Sequence, residues 1–129
     1  MLDKSNKTKL NPLLSRMKVS QTAILRDELK AEAKHIGACC ARLRIARGIK
    51  QDVAAVRAGL SRNTAYRLEN GDPGVAIGQF LRYLDAIAPG MTMNELLAQT
   101  DPSLVVLGLK EKTRRVRDLS SKEVAELDF

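Results

Sequence analysis

Residues 59–71 read GLSRNTAYRLENG. Ser61 is a good N-cap and Asn70-Gly71 a good stop, so a short helix is expected from about residue 62 to 69. Each residue advances a helix by about 100°. With Ala65 and Leu68 as its evident inward residues, Arg62, Asn63, Tyr66 and Arg67 gather on the opposite side. These side chains suit the edges of bases in a DNA major groove: Arg can fork onto guanine O6 and N7, and Asn onto adenine N6 and N7. Tyr66 could meet a thymine methyl or a phosphate. An ordinary solvated surface would look the same on this helix alone, so the flanking sequence has to decide.

Upstream, Gln51 to Ala58 forms a second short helix built largely of Val and Ala, small enough for another helix to approach closely, and Gly59 ends it. Before that, a stripe through Leu25, Leu29, Ala33, Ile36, Cys40 and Leu43 advances by threes and fours from Ser20, a plausible N-cap. The stripe predicts one long helix or two abutting ones, ending at Arg47-Gly48. Downstream, Asp72-Pro73-Gly74 is turn chemistry. A further helix over about 76–87 carries Ile77, Phe80, Leu81, Leu84 and Ile87 on one face, and Thr92 to Glu95 has a capping-box pattern that opens the next. Five helices and no strand make the fold class all-α.

Residues 50–71, KQDVAAVRAGLSRNTAYRLENG, resemble the helix-turn-helix of the Xre-like family that includes lambdoid phage repressors and Cro. The resemblance extends over about residues 36–98. Its marks are Arg44 in the first helix, Gln51 opening the second, Ala55, Gly59 at the turn, Leu60-Ser61-Arg62 entering the third, and Glu69-Asn70-Gly71 closing it. It implies a lambda-repressor-like five-helix domain in which Arg62, Asn63 and Arg67 read bases, and Tyr66, on the same face, is expected to join them. By the resemblance Gln51 and Asn70 would hold phosphates, and Lys50 and Thr64 are expected to add phosphate contacts of their own. Arg44, Ala55, Gly59, Leu60, Leu68 and Glu69 would support the recognition helix, Arg44 and Glu69 as a partly buried ion pair. Two positions depart from the pattern: Lys50 stands where a capping Thr, Ser or Asn is common, and Ala54 where Leu is usual. The stretch GDPGVAIG at 71–78 looks like the sub-branch that includes HipB-like antitoxins.

Composition agrees with a nucleic-acid partner. The 129 residues carry 22 Lys and Arg against 15 Asp and Glu, a net charge of +7, with the excess in the first hundred residues. The chain is organised as a flexible basic arm at 1–19, a helical extension at 20–34, the helix-turn-helix domain at 35–100, and a C-terminal tail at 101–129. The tail reads as two short amphipathic helices or as partly loose. Its Arg114, Arg115 and Arg117 are balanced by Glu111, Asp118 and Glu123.

Catalysis finds little support. His35 is the one histidine and has no nucleophile or ligand cluster of convincing spacing around it; we expect no enzyme activity, no metal and no cofactor. Cys39 and Cys40 are adjacent in a helix and point apart, which disfavours a disulfide. Cys40 falls on the inward stripe, and Cys39 is expected at its edge. No apolar run is long enough for a membrane span or a secretory leader, so a cytoplasmic, bacterial or phage-encoded protein is expected.

The resulting expectation is a sequence-specific double-stranded-DNA-binding regulator, most simply a repressor, acting as a homodimer on a palindromic operator. The alternative is an antitoxin that restrains a toxin partner and autoregulates its operon.

Overall fold

The computed structural model describes residues 20–127, with side chains as far as Val116. The arm read at residues 1–19 lies outside them. Every described element is a helix: α1 (Gln21–Ile24), α2 (Asp27–Ala46), α3 (Gln51–Ala58), α4 (Arg62–Glu69), α5 (Ile77–Ile87), α6 (Met93–Ala98) and α7 (Pro102–Leu127).

The N-terminal stripe resolves into two helices. Leu25 and Arg26 adopt extended backbone, with ψ of 136° and 158°, and split α1 from α2. Ser20 occupies the N-cap of α1 without a side-chain cap bond. From Asp27 the helix runs unbroken through Ala46, crossing residues 34 and 35 with no hinge.

The core lies where α2, α3, α4 and α5 converge. Cys40, Leu43, Ala54, Ala55, Ala65, Leu68, Tyr83, Leu84 and Ile87 are all sealed from solvent. Ala54 and Ala55 let α5 and α4 pack tightly on α3, since a side chain that ends at Cβ keeps neither helix at a distance. The Leu usual at position 54 is thus replaced by a buried Ala.

Two expectations about burial are corrected. On α5, Ile77 is 71% exposed and Leu81 48% exposed, and the inward row is instead Phe80, Tyr83, Leu84 and Ile87. Ile77 is the first residue of that helix, beyond the reach of the layer beneath, and the inward direction is set by Tyr83 rather than Leu81. Cys39, expected at an edge, is buried against the core. Burial raises both thiols above their ordinary value, Cys40 to about 12.

The C-terminal tail is also different from the expected pair of short helices: α7 is one helix of 26 residues. Asp101 precedes Pro102, a residue suited to a helix start, and its carboxylate accepts from the backbone N–H and the hydroxyl of Ser103. Two ion pairs tie α7 and the residue before it to α2 and the residue after it. Arg47 donates to Asp101 at 2.7 Å, and Arg42 forks onto Glu111 at 2.9 and 3.2 Å. Glu111, which in the sequence balances the nearby arginines, is therefore engaged by a residue 69 positions earlier.

Candidate nucleic-acid interface

The geometry starts at the turn between α3 and α4. Gly59 sits at φ +69°, a left-handed conformation that side-chain-bearing residues rarely adopt, and Leu60 N–H returns to Ala55 O at 2.9 Å. Ser61 then caps α4: its Oγ accepts from Thr64 N–H at 3.1 Å. Leu60 is half-buried against the core. The chain thus passes from α3 into α4 in three residues, and α4 starts with a side-chain cap.

One face of α4 is inward through Ala65 and Leu68, as expected. On the other, Arg62, Asn63 and Tyr66 are exposed, Tyr66 by 60%. Arg62 lies 3.9 Å from Asp52 of α3, a contact too open to hold either side chain. Arg67 is less free: its Nε donates to Asp72 Oδ2 at 2.7 Å, and Asp72 Oδ1 accepts Gly74 N–H at 2.8 Å. The Arg67 hydrogen bond, seconded by that of Gly74, holds the Asp72 carboxyl below its ordinary value.

The expected phosphate-holding residues occupy different situations. Lys50 is exposed at the N-cap of α3 and makes no side-chain cap bond. Asn70 is exposed just beyond α4, its Nδ2 donating to Tyr66 O at 2.8 Å. Thr64 is half-buried, with Oγ1 2.9 Å from Ser61 Oγ. Gln51 turns inward, where its Nε2 donates to Glu69 Oε1 at 2.9 Å.

Glu69 is the polar hub of the fold. Arg44 Nε and Nη2 donate to its two oxygens at 2.6 and 2.9 Å, Gln51 reaches Oε1, and Tyr83 Oη donates to Oε2 at 2.5 Å. Its side chain is only 6% exposed. Arg44 also donates to Ile49 O at 2.8 Å, so one guanidinium closes the α2–α3 turn and grips α4. Four helices meet at this carboxylate. A buried charge without partners is costly, and here all of its partners point to one orientation of α4. Burial, then the Glu69 hydrogen bond, pushes the Tyr83 hydroxyl upward, so it stays a donor at any physiological pH.

Two parts of this support escape the sequence pattern. Tyr83 reads as one polar-tipped residue among LRYLDAI, and its place opposite Glu69 depends on tertiary packing. The other part is a pair of glycines: a Cβ on Gly37 would fall 2.6 Å from Gly71 N and Leu68 O, and one on Gly71 would fall 2.4 Å from Lys34 Cα. The backbones of α2 and the end of α4 therefore touch directly. Gly37 inside an otherwise regular helical stripe was the available signal.

Among the described residues, no group of three or more His, Cys, Asp or Glu is placed to hold a metal ion, and no helix is long and apolar enough to cross a membrane. What the surface offers instead is a rigidly mounted helix with an outward row of donors.

Residues 35–89 match the family model of a helix-turn-helix domain. The matched stretch takes in the α3–Gly59–α4 unit, the Glu69 hub and all of α5, and leaves out α1, the first two turns of α2, α6 and α7. No curated protein and no solved structure matches the chain.

Proposed function

We propose that the protein is an Xre-like transcriptional repressor that binds double-stranded DNA sequence-specifically, as a homodimer, in a bacterial or phage-infected cytoplasm. The observation that carries this reading is the exposed row Arg62, Asn63 and Tyr66 on α4, the second helix of a matched helix-turn-helix, mounted on a buried four-helix hub. Preorganisation matters because base readout depends on side chains arriving in register, and a helix locked at Glu69 and Gly71 holds that register before DNA arrives.

Arg62 and Asn63 take the base-reading role, with Tyr66 on a thymine methyl or phosphate. Arg67 joins them through its terminal amino groups while Nε stays on Asp72. Lys50, Thr64 and Asn70 hold phosphates, and so does Gln51, whose amide nitrogen has a second hydrogen beyond the one given to Glu69. One such helix reads only a few base pairs. Two copies about 34 Å apart on an inverted repeat supply the rest.

The test is selection of bound duplexes from a random pool, by the wild type and by Arg62→Ala/Asn63→Ala, at fixed salt. Both substituted side chains are exposed, so folding should be untouched. An enriched inverted repeat that the variant loses, at about 1–3 kcal/mol per lost bidentate contact, is the expected result. No enrichment by the wild type overturns the reading.

A further inference from the structure

Beyond the C-terminal end of α4 the surface does not stop at the matched domain. Arg62, Tyr66 and Asn70 are spaced by four and lie in one row along α4, and that row leads into a hollow of about 200 Å³. Asn70, Gly71 and Pro73 line the hollow together with Lys30 and Lys34 of α2 and Thr22 of α1. The α2 lysines come close because Gly71 packs against the Lys34 backbone.

We infer that Lys30 and Lys34 form a second DNA-backbone contact, flanking the recognition helix and supplied by a helical extension outside the matched helix-turn-helix stretch. This rests on the proposed DNA-binding reading and extends its footprint. Charge complementarity carries the argument. Along α2, Lys30 and Lys34 are about 40° apart, and Glu28 and Glu32, each about 160° from Lys30, face away. Asp27 shares the lysine face but sits about one turn nearer the start of α2, outside the lining of the hollow. The one acid that lines it, Asp72, is neutralised by Arg67 at 2.7 Å. A strand backbone following the α4 row past Asn70 therefore meets two ammonium groups, with no uncompensated carboxylate among the residues that line the hollow. Lysine suits this task, as a compact charge on a flexible stem that needs no fixed geometry at a phosphate.

The experiment measures duplex affinity against salt concentration for wild type, Lys30→Gln/Lys34→Gln, and the equal charge change Lys110→Gln/Lys112→Gln on α7, with folding checked by thermal melting. Each phosphate contact contributes about 0.9 to the slope of log affinity on log salt, so the first variant should lower that slope by about 1.8 while selecting the same sequence. The α7 variant should leave it nearly unchanged. A wild-type slope retained by Lys30→Gln/Lys34→Gln overturns the inference, as does an equal fall in both variants, which would show a net-charge effect. Absence of wild-type duplex binding would instead overturn the DNA-binding reading on which it rests.

Discussion

Asp72 shows how a single residue outside the recognition helix controls one inside it. Its carboxylate takes Arg67 Nε and the Gly74 N–H, and both bonds favour the charged form. The folded pKa is therefore below the ordinary value of 3.8, which the unfolded chain approximates. Stability from this pair is fully present above that unfolded value and is lost as pH falls through the depressed folded one. The side chains are 40% and 31% exposed, and solvent screening keeps the contribution below about 1 kcal/mol. Urea melts at pH 7 and pH 3 should show a smaller loss between the two for Asp72→Asn than for the wild type; an equal loss would mean that the pair carries no linkage. Arg67 itself was legible in the sequence as an outward residue of α4. Its engagement was not, because Asp72 in a DPG turn reads as turn chemistry, and only the folded turn brings its carboxylate back five residues. Tyr83 was hidden for the same kind of reason: nothing local marks a hydroxyl that will meet Glu69 from another helix.

At the scale of elements, the helices whose signals are local were readable. Ser61 as a cap, Gly59 as a turn and the Ala65–Leu68 face follow from residues a few positions apart, and the structure has all three. Faces set by distant neighbours are not legible locally, as with Leu81 and Ile77 on α5, and the tail, which reads as two short helices or as partly loose, is one helix that Arg42 and Arg47 anchor from afar. One close backbone approach is hard to see in the sequence: α2 and the end of α4 meet through Gly37 and Gly71 with no side chain between them. Gly71 combines φ +73° with a Cβ position 2.4 Å from Lys34 Cα, backbone that cannot swing aside. Gly71→Ala should therefore destabilise the fold by at least about 2 kcal/mol, through strain and forced separation of the helices. Gly108→Ala, in the helical interior of α7 where an added Cβ meets nothing within 4 Å, should instead be neutral or stabilising by up to about 1 kcal/mol. Denaturant midpoints of the two variants check the contrast, and similar values would remove the close-packing account.

For the whole molecule, α7 poses a problem of exposed area. Its ion pairs hold one side against α2, while Val105, Val106 and Leu109 are 64%, 50% and 59% exposed within five residues of sequence. A concentrated apolar row on a helix already anchored elsewhere is costly in water and suits a self-complementary interface, in which the same row from a second copy covers it. The proposed operator reading requires such a second copy. If α7 supplies it, Val105→Glu/Leu109→Glu places like charges across the two-fold contact and leaves the monomer core intact, since neither residue packs into it. Sedimentation velocity should then show a dimer for the wild type and a monomer for the variant, with the thermal melt of the monomer preserved. Binding to a single half-site should hardly change, because α4 is untouched. Binding to the full inverted repeat should weaken by about 100-fold or more, because the second half-site is no longer presented at the high effective concentration that dimerisation provides. A variant that stays dimeric would place the interface elsewhere on the molecule. A variant that becomes monomeric yet binds the inverted repeat as tightly as the wild type would show that the two α4 helices are brought together by the DNA itself.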